Sequence, residues 1–203
     1  MARRMPRHAV IDGFLPEDLH RRLLGHALGT QAQFEPTQVR ADGAGRLNSQ
    51  VRRSWAAKHG LGDLRAEFLA AITERFEGIR EQIGVPAFPV EKCELELAAH
   101  RDGCFYLPHL DTQTGINGAG VRGVRALTMV YYFHRQPRGF RGGELALYPF
   151  SPEAPLLLEP ADNRLLAFPS FARHEVRAIS CPGDAWEDAR FAINCWFWRP
   201  RGD

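Results

Sequence analysis

No stretch of about 18 consecutive apolar residues occurs in the 203-residue sequence, so no membrane-spanning helix is expected. An apolar leader is also missing. Met1-Ala2-Arg3-Arg4 runs into Met5-Pro6-Arg7-His8, and no secretory signal is expected. The chain has only four cysteines, Cys93, Cys104, Cys181 and Cys195, and none forms a CxxC pair. That excludes a disulfide-stapled mini-protein, and Cys93 and Cys195, in apolar strand-like runs, are expected to be buried reduced thiols. A large charge of one sign is absent too. The formal net charge of +2 argues against an obligate nucleic-acid binder. Internal repeats and low-complexity tracts are missing. Together these absences point to a cytoplasmic, reducing location and to a partner that is neither membrane nor nucleic acid.

What is present suits a globular enzyme. Hydrophobic residues make up 44% and charged residues 25%, and a chain of this length can bury roughly 70% of its unfolded surface. A single domain over 1–203 is expected. Arg3, Arg4 and Arg7, the pair Arg52 and Arg53, and the set Arg135, Arg138 and Arg141 read first as solvated surface. Ala9 to Leu15 reads as a short strand and turn. Pro16-Glu17-Asp18 then opens a helix whose apolar face of Leu19, Leu23, Ala27 and Leu28 runs to Gly29. Residues 30 to 60 are polar, with a mobile loop at 41 to 45. A second helix runs from Gly62-Asp63 to Ile83, where Leu64, Phe68, Ile72, Phe76 and Ile79 recur every three or four residues. Gly84 ends it and Pro86 blocks continuation.

Beyond residue 90 the period falls from about 3.6 to 2. Cys93 to Ala98, Ala126 to Phe133, Glu144 to Tyr148, Arg164 to Phe168 and Arg190 to Trp198 are β-rich runs separated by Gly and Pro. The expected fold is α+β and mainly β: a jelly-roll (double-stranded β-helix) core over 91–200, buttressed by a helical N-terminal part over 1–90.

His109-Leu110-Asp111 places an imidazole and a carboxylate two apart, so on a strand both face one side. By itself the triplet fits a surface position as readily as a metal site. His174 follows an apolar strand ending in a turn, and two histidines with one carboxylate make the facial triad of non-haem Fe(II) oxygenases, which leaves coordination positions open. Arg190 heads a β-rich run and either offers a bidentate fork to a carboxylate or makes a surface ion pair.

Several elements then occur in a familiar order. Gly103-Cys104-Phe105-Tyr106-Leu107-Pro108-His109-Leu110-Asp111 resembles the G-x-x-Y-x-x-H-x-D segment of prolyl 4-hydroxylase-like 2-oxoglutarate/Fe(II) dioxygenases. Gly142-Gly143-Glu144-Leu145 is similar to their G-G-E element. Leu166 to Ser170 followed by His174-Glu175-Val176, and then Arg190 to Phe197, resemble their last two strands. The resemblance covers roughly residues 95 to 198. It implies that His109, Asp111 and His174 hold Fe(II), while Arg190 and the hydroxyl of Tyr106 hold the distal carboxylate of the co-substrate 2-oxoglutarate. It further implies that O2 is consumed, 2-oxoglutarate becomes succinate, and a substrate C–H bond is hydroxylated. Two departures stand out. His100 occupies a place where the family often has Tyr and is read first as a solvent-facing substitute, with an extra polar group in the pocket as the alternative, and the stretch from His174 to Arg190 is long.

The resemblance favours a peptidyl prolyl or other side chain as substrate, with a free amino acid or another small molecule as the alternative. A zinc-dependent hydrolase and a non-catalytic metal-binding barrel are the competing readings. Asp111 as a ligand argues against halogenation. The substrate would lie between loops 112–125 and 135–143, the first a Gly-rich lid from Thr112 to Val124. Arg122, Arg125, Arg135, Arg138 and Arg141 would steer an acidic peptide or small anion. Trp55 and Trp186 are candidate pocket walls, Trp196 reads as core, and His134 as a strand-end polar group. The terminal Arg201-Gly202-Asp203 carries no expectation.

Overall fold

From Met129 to Phe133 the side chains alternate between two cores, and this alternation explains the architecture. Met129, Tyr131 and Phe133 pack into a core shared with the helices, whereas Val130 and Tyr132 join a second core between the sheets. A strand buried on both faces reads as a continuous apolar run, as Ala126 to Phe133 does. The computed structural model describes residues 4–37, 39–41, 44–46, 49–112, 114–116 and 122–200.

Most of the described strands build two opposed antiparallel sheets in jelly-roll arrangement, and Arg141–Gly142 with Ile179–Ser180 and Val39–Ala41 with Ala44–Arg46 form two small separate ones. The larger runs in the order Ala9–Asp12, Arg164–Pro169, Arg122–Phe133, Arg190–Pro200, Lys92–His100, Trp55–Ala57 and Phe34–Pro36, with Thr114–Ile116 also paired to Arg122–Phe133. The smaller runs Leu156–Leu158, Leu145–Leu147, His174–Val176, Phe105–His109 and Arg52–Arg53.

Helices α1 (Glu17–Gly29) and α2 (Arg65–Gln82) cover the outer face of the larger sheet. Leu19, Leu23 and Ala27 of α1 and Phe68, Ile72, Phe76 and Ile79 of α2 are buried there, the faces that helical periodicity predicts. Gly84 follows α2 at φ +70, a left-handed conformation that a side chain would resist.

The N-terminal part departs from a purely helical support. Phe34–Pro36 and Trp55–Ala57 extend the larger sheet, Arg52–Arg53 edges the smaller one, and Ala9–Asp12 pairs with Arg164–Pro169. Runs of two to four residues are too short for a period of two to show in sequence. Of the loop expected at 41 to 45, Asp42 and Gly43 lie outside the described residues, while the flanking backbone pairs as Val39–Ala41 with Ala44–Arg46. Much of the expected lid, residues 113 and 117–121, also lies outside them, as do Arg3 and the terminal Arg201-Gly202-Asp203. Among the described residues no helix is long and apolar enough to cross a membrane. All four cysteines are free thiols; three are buried and Cys93 is half-buried, with burial pushing its thiol up to about 12.

Candidate active site

His109 ends the strand Phe105–His109, and His174 begins the adjacent strand directly opposite it in the antiparallel register. Side chains facing each other across such a pair are near neighbours, so the pairing itself brings the two imidazoles together. Asp111 lies just past the strand end. Its backbone N–H and that of Thr112 both donate to the Ser170 carbonyl at 3.0 Å, which draws the chain back against the barrel. The ligand-capable atoms of His109, Asp111 and His174 all lie within 4.8 Å of one another.

The hydrogen bonds orient all three for a metal. His109 Nδ1 donates to the Leu107 carbonyl at 2.8 Å and His174 Nδ1 to the Ala172 carbonyl at 2.9 Å. A carbonyl only accepts, so both protons sit on Nδ1 and each Nε2 lone pair is left available. Each Nε2 lies 3.6 Å from a different oxygen of Asp111. That is too long for a good hydrogen bond and slightly wider than the roughly 3 Å between neighbouring ligands on metal bonds of about 2.1 Å. Thr128 Oγ1 donates to Asp111 Oδ2 at 2.9 Å and touches Ser170 Oγ at 2.9 Å, which fixes the carboxylate plane. Burial acts to raise the Asp111 carboxyl, but attraction to His174 and the contact with His109 outweigh it and hold the group below the ordinary carboxylate range. Burial lowers His174, only partly countered by Asp111, so its imidazole is neutral near pH 7. An ionised carboxylate and a neutral imidazole are the forms a metal requires. The donor set fits a divalent ion such as Fe(II).

Arg190 lies deeper in the same cleft, and its placement follows from strand parity. On Arg190–Pro200 the odd residues Phe191, Ile193, Cys195 and Phe197 enter the helix-side core. The even residues Arg190, Asn194 and Trp196 line the cleft with the triad. Arg190 is 1% exposed. It donates to the Gly143 carbonyl at 3.1 Å and to His100 Nδ1 at 2.8 Å, and its Cζ sits 5.0 Å over the Tyr132 ring. No described carboxylate pairs with it, and its Nε has no partner. Burial accordingly pulls its pKa below the usual arginine value. A fully buried cation without a counter-charge is costly, and a carboxylate ligand would supply that charge.

His100 is the correction to the sequence reading. Expected to face solvent, it is 4% exposed, because it pairs with Arg190 in the strand register and its side chain follows Arg190 inward. The pair of glycines before Glu144 serves this arrangement. Gly142 and Gly143 both have positive φ, a Cβ on Gly142 would collide with the Ala178 carbonyl, and one on Gly143 would meet Ile179 at 2.8 Å.

Arg52 is a cleft residue that sequence reasoning read only as surface. It donates to Glu96 at 2.6 Å and to Ser54 Oγ at 2.8 Å, and lies 5.1 Å over the Tyr106 ring. Burial works against its charge, but Glu96 outweighs burial and raises its pKa. Arg52 is thus compensated within the protein and Arg190 is not. Tyr106 stacks on His109 with ring centroids 3.5 Å apart, and burial raises its hydroxyl, keeping it a donor.

Other expectations shift. Trp196 lines the cleft, 8% exposed, with its indole N–H unpartnered, whereas Trp186 is packed in the helix-side core and donates to the Ala27 carbonyl. Trp55 stands apart from the cleft, beside Arg101. Arg135 pairs with Asp188, and Arg138 with Glu159 at 2.7 Å, so neither is a free steering charge. Arg125 pairs with Glu94 at 2.9 Å. His134 directly follows the strand Arg122–Phe133, as a strand-end polar group would, but is buried at 3% exposure.

The buried histidines give a pH dependence. Burial lowers His100, with Arg190 and Arg52 adding to the effect, and it also lowers His134 and His174. Above the ordinary histidine pKa near 6.5 these groups are neutral in both folded and unfolded chains, so their contribution is then complete. As pH falls below about 6.5 the unfolded chain takes up protons that the folded chain refuses, and stability drops, by up to about 1.4 kcal/mol per pH unit for each histidine. Denaturant unfolding between pH 7.5 and 5.5 should register this fall. His100→Gln, which can still accept from Arg190, should flatten the slope by about one proton; an unchanged slope would refute the assignment.

Comparisons with known proteins bear on the family and the fold. A family model described as the 2OG-Fe(II) oxygenase superfamily matches residues 95–198. An uncharacterized PKHD-type hydroxylase of Synechocystis sp. is 28% identical over 195 residues, covering 92% of this chain and 61% of that protein. This chain therefore spans less than two thirds of that relative's length. A prolyl hydroxylase from Trichoplax adhaerens, solved with a peptide fragment of the hypoxia inducible factor oxygen degradation domain, superposes with a TM-score of 0.70. It is 20% identical, over 96% of this chain and 84% of that one. A Pseudomonas putida prolyl-4-hydroxylase gives 0.67 at 23% identity, over 97% and 94%. At these identities the solved structures speak to the fold.

Proposed function

The chain belongs to the 2OG-Fe(II) oxygenase superfamily, and from that premise we propose that it is a hydroxylase dependent on Fe(II) and 2-oxoglutarate. The overall reaction balances as substrate C–H plus 2-oxoglutarate plus O2 giving substrate C–OH, succinate and CO2. Bound Fe(II) supplies the activation of O2 on which the oxidation depends. His109, Asp111 and His174 would hold the ion, their tautomers and charge set by the Leu107 and Ala172 carbonyls and by Thr128. Arg190, with Tyr106 nearby, would anchor the distal carboxylate of 2-oxoglutarate and orient its 2-oxo acid end toward the triad. The walls contributed by Val130, Tyr132 and Leu145 exclude water there.

The observation that carries this reading is the buried guanidinium of Arg190, unpaired with any described carboxylate, in one cleft with two imidazoles and a carboxylate. A zinc hydrolase could use the same three ligands, but it would leave the Arg190 charge uncompensated. A peptidyl prolyl or other peptidyl side chain is the favoured substrate, in keeping with the relatives' hydroxylase names, and a free amino acid is the second reading. Anaerobic addition of Fe(II) and then 2-oxoglutarate should raise a weak visible charge-transfer band, and admission of air should release succinate. A chain that purifies with zinc and does neither would sink the proposal. Mass spectrometry of candidate peptides for a gain of one oxygen identifies the substrate.

A further inference from the structure

A second cavity, of about 570 Å³, opens beside the triad. Three of its lining residues tie it to the site. Thr112 follows Asp111, Pro169 precedes the Ser170 whose carbonyl holds the Asp111 backbone, and Arg125 lies 4.0 Å over the Trp196 ring.

The charges on its described lining are all of one sign. Among the described residues Arg4, Arg7, Arg125 and Arg199 contribute, and none of the described lining residues is acidic. Arg125 is neutralised by Glu94, but Arg4, Arg7 and Arg199 are exposed, and no described carboxylate lies within ion-pair distance of them. Two of its lining residues also carry a buried polar atom with no hydrogen-bond partner among the described residues: Thr112 Oγ1 and, on an 8% exposed side chain, Arg125 Nε. Its rim is apolar. Phe150 and Phe171 are 60% and 57% exposed and stack with ring centroids 6.4 Å apart. Two adjacent phenyl rings facing water, rimmed by cations, mark a surface that a partner covers.

We propose that this cavity docks an acidic segment of a protein substrate, a stretch of carboxylate side chains interspersed with an aromatic or aliphatic one, flanking the residue that enters the cleft. This rests on the hydroxylase reading above and specifies its substrate class. Arginine forks match carboxylates, and the phenyl pair accepts an apolar side chain. A small carboxylate would satisfy the guanidinium groups and leave Phe150 and Phe171 in water. An extended peptide covers both, which is why a protein segment is favoured over a free anion.

The test uses the full chain and a short fluorescein-labelled peptide of alternating glutamate and phenylalanine, followed by anisotropy at low salt. The parent chain should bind it and should not bind the lysine-for-glutamate counterpart. The triple change Arg4→Gln, Arg7→Gln and Arg199→Gln should weaken binding about tenfold, as expected for three exposed ion pairs. Phe150→Ser with Phe171→Ser should weaken it as well and with little salt dependence. Equal binding by parent and arginine variant, or equal affinity for both peptides, would overturn the proposal. So would complete displacement by free glutamate at matched carboxylate concentration, which marks a small-anion site. The anaerobic charge-transfer band is read on every variant. A docking failure with the band intact rejects only this inference, whereas loss of the band in the parent rejects the hydroxylase reading itself.

Discussion

His174→Ala should bind divalent metal at least about 100-fold more weakly than the parent chain and should lose succinate release. Removal of an outer partner of a metal ligand already costs about 10–100-fold in metal affinity, so removal of the ligand should cost more. Mn(II) titration under anaerobic conditions measures the first effect without relying on turnover. The fold should survive, because the strand His174–Val176 is held by its backbone between Leu145–Leu147 and Phe105–His109. The neighbouring change Thr128→Val provides a graded comparison. It deletes the donor to Asp111 Oδ2 but leaves all three ligands, and its metal affinity should fall within the 10–100-fold range. If His174→Ala bound Mn(II) like the parent, the triad would not be the metal site.

Arg190→Met should raise the dissociation constant for 2-oxoglutarate about 10²–10³-fold, the cost of removing one partner of a buried charged pair. Metal affinity should change little, since Arg190 contacts none of the three ligands through any observed hydrogen bond. Unfolding of the ligand-free chain should shift only slightly, because the substitution deletes a buried charge without a counter-charge along with its two hydrogen bonds. Calorimetry with 2-oxoglutarate on the metal-loaded chain, in the absence of O2, separates the effects. An unchanged co-substrate affinity would mean that another cation, Arg52 being the nearest candidate, holds the carboxylate. Arg190→Lys should recover part of the lost affinity, because the charge remains while the two-pronged geometry does not.

Residues whose chemistry is specific were legible in the sequence. Two histidines and an aspartate in that order suggested a ligand set, but Asp111 reaches His109 from beyond the strand end Phe105–His109, through its backbone bond to the Ser170 carbonyl and not through strand periodicity. The helices were legible because Phe68, Ile72, Phe76 and Ile79 repeat over a long segment. Residues whose role depends on pairing were not. His100 faces Arg190 only through the register of two strands 90 residues apart. Arg52 reaches the cleft from a two-residue strand, too short to carry any periodic signal. Arg135 and Arg138 looked like free cations because sequence displays a charge without its partner, here Asp188 and Glu159. The sheet strands of residues 30 to 60 escaped for the same reason as Arg52.

The strict alternation along Arg190–Pro200 separates the inheritance of stability from the inheritance of specificity. Phe191, Ile193, Cys195 and Phe197 answer to the helices, and changes there are felt as unfolding. Asn194 and Trp196 answer to whatever occupies the cleft. A lineage can therefore drift in substrate preference through one set of alternate codons while selection for a folded chain acts on the other. The same partition narrows the positions on this strand that a protein engineer would vary to Asn194 and Trp196, since Ala192 packs in the second core and Arg190 carries the cleft's charge.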